Sequence, residues 1–323
     1  NGVDPAGPSG YAGTVPDYAF MVFQLVFAVI TVALISGAIA ERMKLSAFLI
    51  FAVVWATFIY DPLAHWVWGG GWIGDLGALD FAGGTVVHIS SAAAALAGAI
   101  MVGKRRGFLK DYMAPHSLPL TVIGASMLWF GWFGFNAGSA LTSGTQAATA
   151  FVTTNVAAAM GGLAWMFAEW IYRGKPTALG VASGAVAGLV AITPAAGFVG
   201  PMSALLIGLG AGVFCYMAVF LKAKLGYDDD FDVVAVHGVG GTWGALATGL
   251  FANPVFGGAS GLFFGNPGQL WKQFVAVVAT WVFVFVGSII ILKIVDLIVG
   301  LRVTEDEERE GLDISQQNES SYS

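Results

Sequence analysis

The sequence contains little charge and almost no cysteine. Only 11% of its 323 residues are Asp, Glu, Lys or Arg, whereas soluble domains contain about 25%, so a soluble enzyme and a disordered regulator are both excluded. With 14 basic against 20 acidic residues, the chain also lacks the basic surface that a nucleic-acid binder needs. The single Cys215 excludes an internal disulfide and a multi-cysteine metal site. What is abundant is apolar, because 57% of the residues are hydrophobic and the mean hydropathy is +0.77.

Apolar runs of about 20 residues, the length that a bilayer core requires, recur along the chain. They lack the apolar–polar alternation of a membrane β-barrel, so we predict an all-α polytopic membrane protein with nine spans. The predicted spans cover residues 18–40, 45–60, 82–102, 118–138, 147–172, 178–198, 202–221, 233–252 and 274–299.

The basic residues lie almost entirely in alternate connections between these spans. One set of connections, with the C-terminal flank, contains 13 of the 14 Lys and Arg residues, and the opposite set contains only Lys272. Because basic connections stay in the cytoplasm, we predict an extracellular loop at 1–17, a transmembrane domain at 18–300 and an acidic cytoplasmic tail at 301–323. An extracellular start at Asn1 without a signal peptide leads us to expect that upstream sequence is missing.

Two histidines occupy related positions near the starts of two spans. Asp80 precedes His88, and Asp232 precedes His237, in segments that begin on opposite sides of the membrane, as in an inverted repeat. Ionisable groups inside a span are functional candidates, and two neutral imidazoles suit a small polar solute or a proton relay. The alternatives are that each ring bonds a neighbouring hydroxyl or carbonyl, or that the pair ligates a haem iron.

Aromatic side chains form a second candidate site. Phe27, Trp68 and Phe135 could surround a cation together with the hydroxyl of Ser139, although spacing alone does not bring them together. The alternative for each ring is ordinary helix packing. For Trp66 and Trp72, in the predicted external connection after Pro62, we favour an interfacial aromatic belt.

Six motifs together resemble the Amt/Mep/Rh ammonium transporter family, and most closely its prokaryotic Amt branch. They are AERM at 40–43, DPLAHWVWGGG at 61–71, GALDFAGGTVVH at 77–88, GWFGFNAGS at 131–139, GLVAITPAAG at 188–197 and VHGVGG at 236–241. The resemblance implies an inverted-repeat bundle of eleven spans, of which this chain would lack the first two. It also implies homotrimers with one pore in each subunit.

The resemblance assigns a role to each candidate residue. His88 and His237 match the twin pore histidines, which would line the pore and relay a proton, and Phe27 and Phe135 match the rings that close the outer pore. Trp68 and Ser139, with Phe27, match the external recruitment site. Two further matches are interpreted as structural: Asp80, at a span start where a carboxylate can cap helix amides, and Thr193, in a motif at a span end.

We therefore predict an ammonium transporter or ammonia channel in the cell membrane, without enzymatic activity, cofactor or metal. Its expected partners are ammonium, membrane lipid and two further copies of the chain, with no nucleic acid. The alternative is an ammonium sensor of the same fold, which would signal through a fused cytoplasmic domain that residues 301–323 do not supply.

The tail is the expected site of regulation. Thr304–Glu307 fits a capping box, which predicts a short helix. The family resemblance implies that this tail, with Tyr322, packs on the cytoplasmic face, where a PII-type signalling protein docks. The basic loop at 104–110 is its candidate electrostatic partner.

Overall fold

The computed structural model describes Asp4 and residues 7–320; the remaining positions, Tyr322 among them, lie outside the described residues. The described part is mostly helical, with one short antiparallel hairpin, β1 (Pro8–Ser9) and β2 (Ala12–Pro16). The helices are α1 (Asp17–Ser36), α2 (Leu45–Trp55), α3 (Asp61–Trp68), α4 (Trp72–Leu76), α5 (Ser90–Val102), α6 (Leu118–Gly138), α7 (Thr145–Arg173), α8 (Ala178–Ile192), α9 (Pro201–Leu225), α10 (Gly240–Phe251), α11 (Pro254–Gly257), α12 (Gly268–Val299), α13 (Glu305–Glu310) and α14 (Leu312–Gln317). Three π-helical turns occur at Ala56–Tyr60, Gly84–Ile89 and Val234–Val239, and a 3-10 turn occurs at Leu262–Phe264.

The predicted membrane helices are present, but the count of nine spans is not confirmed. Within the described residues, seven helical stretches are long and apolar enough to cross a membrane. The eighth candidate, α8, has 15 residues and is about 22 Å long, shorter than a bilayer core. The ninth, residues 234–251, contains five glycines and His237 and is not one of the seven.

The second span extends further than the sequence predicts. We expected it to end near residue 60 and placed Trp66 and Trp68 in a connection, yet the helical stretch continues over Leu45–Leu76. Pro62 cannot donate a main-chain hydrogen bond, and the wider π-helical turn Ala56–Tyr60 lies directly before it. The chain therefore remains helical across the proline, and both tryptophans lie on α3.

The helices α7, α8 and α9 pack backbone to backbone through glycine. A methyl group on Gly184 would lie 3.1 Å from the Cα of Gly162, and one on Gly188 would lie 2.9 Å from the carbonyl carbon of Ala157. The glycines of α8 therefore serve close helix contact within the chain. Gly244 of α10 likewise packs against the backbone of Ala191 rather than leaving an open face beside His237.

The molecule has two chemically different ends. The hairpin and the first turns of α1 mark one, which we term the hairpin end. The other, which we term the basic end, contains Arg42, Lys44, Arg105, Lys222 and Arg302. There the main chain of 301–303 pairs with that of 42–44, and α13 begins with the capping box that the sequence predicts, formed by Thr304 and Glu307.

Candidate functional site

A cavity of about 300 Å³ opens at the hairpin end between α1, α3 and α6. Three of the predicted recruitment residues line it: Phe27 from α1, Trp68 from α3 and Ser139 at the end of α6. The other lining residues are Tyr11, Phe20, Phe23, Gln24, Val67, Phe81 and Leu141. The sequence did not single out Tyr11 or Phe81 for this site, because they lie in a hairpin and a loop whose folding the span pattern does not define.

Two hydrogen bonds fix the polar groups of this cavity. The indole Nε1–H of Trp68 donates to the carbonyl oxygen of Asp80 at 2.9 Å, and the ring of Phe27 meets Trp68 edge to face at a centroid distance of 5.7 Å. The hydroxyl of Ser139 donates to the carbonyl oxygen of Phe135 at 2.8 Å. Because that hydroxyl already donates its one hydrogen bond to Phe135, its lone pairs are available to accept hydrogen bonds from a solute.

The cavity ends at a pair of phenylalanines. The rings of Phe27 and Phe135 lie 4.5 Å apart, and Phe27 is 1% exposed. Behind them, Phe135 stacks on the imidazole of His88 at 6.0 Å. The aromatic path therefore leads directly from the cavity to the first histidine.

Trp132 is the residue that the sequence reasoning left out of the site. Its ring stacks on His88 at 5.5 Å, and its Nε1–H donates to the hydroxyl of Thr193 at 2.9 Å. Thr193 in turn donates to the carbonyl oxygen of Leu189, so its role in this structure is to hold Trp132. Trp132 and Phe135 are three residues apart and therefore share a helix face, but this spacing alone does not distinguish a site residue from ordinary packing.

The two histidines are in direct contact. Nδ1 of His88 and Nδ1 of His237 are 3.2 Å apart, and both rings are buried. A hydrogen bond at this distance needs one donor and one acceptor, so the two imidazoles share a single proton between these atoms. Direct contact leaves no space for an iron porphyrin between the rings, which removes the haem alternative. Within the described residues, Nε2 of His88 has no hydrogen-bond partner and is free to meet a solute.

Each histidine lies on a π-helical turn that begins at a carboxylate. Asp80 accepts hydrogen bonds from the amides of Gly83, Gly84 and Thr85, and also from the hydroxyl of Thr85. This is the geometry of a helix cap. Burial raises the pKa of Asp80, while these hydrogen bonds act in the opposite direction.

The matching carboxylate of the second half is Asp229, and our alignment of Asp232 with Asp80 is wrong. Asp229 accepts from the amides of Val233 and Val234 at 3.1 and 2.7 Å, and it precedes His237 by eight residues, as Asp80 precedes His88. Asp232 instead pairs with Lys222 at 2.6 Å. Proximity in sequence suggested Asp232, but the chain turns between residues 229 and 233.

Charged groups gather at the basic end, at the far side of the histidines. Arg42 is fully buried, and its guanidinium donates to the carbonyl oxygens of Ala38, Ala40, Gly103 and Asp228. Burial lowers the pKa of Arg42.

Neighbouring Arg105 forms ion pairs with three carboxylates. They belong to Asp228, Asp230 and Glu41. Although burial acts to raise the pKa of Asp228, its hydrogen bonds to Arg105 hold that pKa below the usual value.

Comparison with known proteins gives consistent results along the whole chain. The family described as "Ammonium Transporter Family" matches residues 7–322. A protein of Bacillus subtilis (strain 168) named "Ammonium transporter" is 55% identical over 318 residues, which cover 98% of this chain and 78% of that protein. The crystal structure of Candida albicans Mep2 superposes with a TM-score of 0.87 at 41% identity, covering 92% of this chain and 68% of that one. A structure described as "Sensor Amt Protein" superposes with a TM-score of 0.86 at 34% identity, covering 93% and 77%.

Proposed function

This chain belongs to the ammonium transporter family, and from that premise we propose that it recruits ammonium in the cavity beside Trp68, removes one proton and passes ammonia along the two histidines. The observation that carries the proposal is the direct contact between His88 and His237 behind an aromatic cavity. The family and the transporter names of its relatives support the substrate.

The cavity has the chemistry of a site for a small cation. The faces of Phe27 and Trp68 attract positive charge, a contact worth about 2 kcal/mol when it is desolvated. Ser139 supplies an acceptor for an N–H group. The carboxylate of Asp80 already accepts four hydrogen bonds from the chain, so it acts on the site through Trp68 and not by contact with the cation.

Deprotonation makes the narrow part of the path passable. Moving an intact cation into an apolar, dry passage costs far more free energy than contact with an aromatic ring provides. Ammonia carries no charge and avoids this cost. When the rings of Phe27 and Phe135 separate, ammonium reaches Nε2 of His88, which takes its proton. The shared proton then passes from Nδ1 of His88 to Nδ1 of His237, and His237 gives up its Nε2 proton toward the basic end. The ammonia that is left continues without charge.

The distribution of charge orients the molecule in the cell membrane. Helix α1 runs from the cavity to the basic end, so the two ends lie on opposite sides of the bilayer. Because basic segments remain in the cytoplasm, we place the basic end and the tail inside and the hairpin end outside. The cavity then faces the external ammonium supply.

Two kinds of protein contact complete the proposal. The family resemblance supports a homotrimer with one path in each subunit, which the mass of the purified protein in detergent tests. It also supports a PII-type protein as a partner at the basic end. If deletion of residues 304–323 changed neither transport nor PII binding, the tail would have no part in that regulation.

The histidines are the decisive test of the mechanism. We expect His88→Ala and His237→Ala each to lower the current that follows an ammonium pulse in proteoliposomes by about tenfold or more, since each removes half of the proton route. His116→Ala, at an exposed position outside the path, is the matched control. Unchanged current in either of the first two variants would refute the proton relay.

The sensor alternative makes a different prediction for the same experiment. The structural likeness to a sensor Amt protein is its support. A sensor binds ammonium without passing it on, so the unmodified protein would bind ammonium and give no current. A current in the unmodified protein excludes a purely sensory role.

A further inference from the structure

Two glutamines on α12 have no part in the proposed path, although both are buried. Gln273 is 1% exposed and Gln269 is 4% exposed. A buried amide is costly unless its polar atoms are bonded, so their partners indicate what these side chains do.

The amide of Gln273 joins three segments of the chain. Its Oε1 accepts from the main-chain N–H of Leu79 at 2.6 Å, and its Nε2 donates to the carbonyl oxygens of Leu79 at 2.7 Å and Ala245 at 3.0 Å. Gln269 supports it by donating to Oε1 of Gln273 at 3.2 Å and to the carbonyl oxygen of Gly77 at 2.9 Å. All four hydrogen-bonding positions of the Gln273 amide are therefore occupied.

Gln273 binds Leu79, which directly precedes Asp80, and the proposed site depends on Asp80. Leu79 is followed by Asp80, whose carbonyl oxygen fixes the indole of Trp68 and whose carboxylate begins the helix that carries His88. The loop at 77–83 lies between helices and has no regular ladder of its own. Main-chain hydrogen bonds from Gly77, Ala78 and Phe81 hold parts of this loop, and Gln273 binds both main-chain polar groups of Leu79.

We propose that Gln273 is a positioning residue for ammonium recruitment, acting through Leu79 and Asp80 on the orientation of Trp68. The inference rests on the proposed function of the Trp68 cavity. A glycine at 249 accommodates this arrangement, because a methyl group there would lie 2.9 Å from Cγ of Gln273. The bond to Ala245 also ties the loop to α10, the helix that follows His237.

The test is Gln273→Met, which keeps the length of the side chain and removes its hydrogen bonds. The main-chain groups of Leu79 lose their partners, and we expect the KM for ammonium, measured from currents in proteoliposomes, to rise about fivefold or more. The maximum current per folded transporter should change less, because the histidine contact does not involve Gln273. Thr280→Val is the control, since that hydroxyl is buried on the same helix and donates to the carbonyl oxygen of Ala276, within its own helix.

A double-mutant cycle separates this inference from the proposed function. We expect Trp68→Leu to raise the KM, and Gln273→Met to add little when Trp68 is already absent, since residues in one network are not additive. Trp68→Leu without effect on the KM would refute the recruitment site itself. Two outcomes would overturn the positioning role even if Trp68→Leu raises the KM as expected. One is an unchanged KM in Gln273→Met, and the other is a double variant in which the two effects on the KM are fully additive.

A second variant keeps the inference testable if Gln273→Met does not fold. Gln269→Met removes the support to Gln273 and the bond to Gly77 but leaves the three bonds of Gln273 to the main chain. We expect a smaller rise of the KM in the same direction. An unchanged KM in Gln269→Met, where that is the only folded variant, would count against the proposal.

Discussion

Asp229 is a buried carboxylate whose ionisation matters to the second histidine. It is fully buried, it holds the amides of Val233 and Val234 at the start of the turn that carries His237, and its carbonyl oxygen accepts from Lys222. Burial raises its pKa to about 7, so it titrates in the range of ordinary cytoplasmic conditions. Nearby charges on Asp232 and Lys222 act in opposite directions.

The stability that Asp229 contributes should depend on pH. Because its pKa in the folded protein lies above the usual value of about 4, the contribution is complete below pH 4 and is lost as the pH rises through about 7. In Asp229→Asn the amide cannot ionise. We therefore expect the Tm of the unmodified protein, relative to that of Asp229→Asn, to fall between about pH 4 and pH 7 and to level off above that, as measured by thermal unfolding in detergent.

The control for this experiment is another acidic residue at the same end. Asp306 is exposed on α13. Asp306→Asn should leave the pH profile of the Tm unchanged. Parallel profiles for the unmodified protein and Asp229→Asn would contradict the role of Asp229.

At the level of residues, the sequence identified the candidates but could not assemble them. His88 and His237 stood out because ionisable groups are costly inside a membrane helix, whereas the resemblance to the ammonium transporter family marked Phe27, Trp68 and Phe135. Their meeting depends on how separate helices pack, and spacing along the chain carries no information on that. Trp132 was missed for a related reason, since a ring on an apolar helix is indistinguishable from packing until its neighbours are known.

At the level of helices, the glycine contacts of α7, α8 and α9 set how closely these elements approach. We expect Gly188→Ala to destabilise the protein by about 1–3 kcal/mol, because the added methyl group would lie 2.9 Å from the carbonyl carbon of Ala157 and 3.0 Å from the Cα of Ala158. Both are backbone atoms that cannot rotate away. The change would be seen as a lower Tm in detergent.

Gly124→Ala separates this effect from helix propensity. Gly124 lies on α6, and a methyl group there would meet nothing within 4 Å. Alanine favours a helix over glycine by about 1 kcal/mol, so this variant should be as stable as the unmodified protein or more so. Equal Tm values for both alanine variants would show that the close approach at Gly188 is not under strain.

Helix boundaries show the limit of sequence reasoning at this scale. Apolar length predicts that a span exists, and most of the predicted spans coincide with helices. It does not predict the π-helical turns at Ala56–Tyr60, Gly84–Ile89 and Val234–Val239, because one extra residue in a turn leaves no mark on apolar content. It also overestimates the length of α8, because the mostly apolar residues 193–198 form turns instead of a helix. These turns hold Thr193 beside Trp132.

At the level of the whole molecule, the tail is bound to the end of the His88 helix that lies at the basic end. Arg302 donates through Nη1 to the carbonyl oxygen of Val102, the last residue of α5, and through Nη2 to Glu308 at 2.8 Å. Glu308 also accepts from the main-chain N–H of Arg106 at 2.8 Å. The predicted partnership of tail and basic loop therefore involves the main chain of that loop, and one carboxylate connects α13, the loop and α5.

Loss of that carboxylate should act on transport without acting on recruitment. In Glu308→Ala the tail loses its bonds to Arg302 and Arg106, so trypsin should cleave the freed tail at Arg309 faster than in the unmodified protein. The maximum current should change about twofold or more, which corresponds to a small part of the free energy of a lost charged hydrogen bond. The KM for ammonium should stay constant, because the recruitment cavity is at the hairpin end.

Glu305→Ala, at an exposed position in the same helix, is the control and should change neither the rate of cleavage nor the maximum current. A raised KM in Glu308→Ala would mean that the two ends of the molecule are coupled, and unchanged cleavage and current would mean that the tail does not depend on this contact.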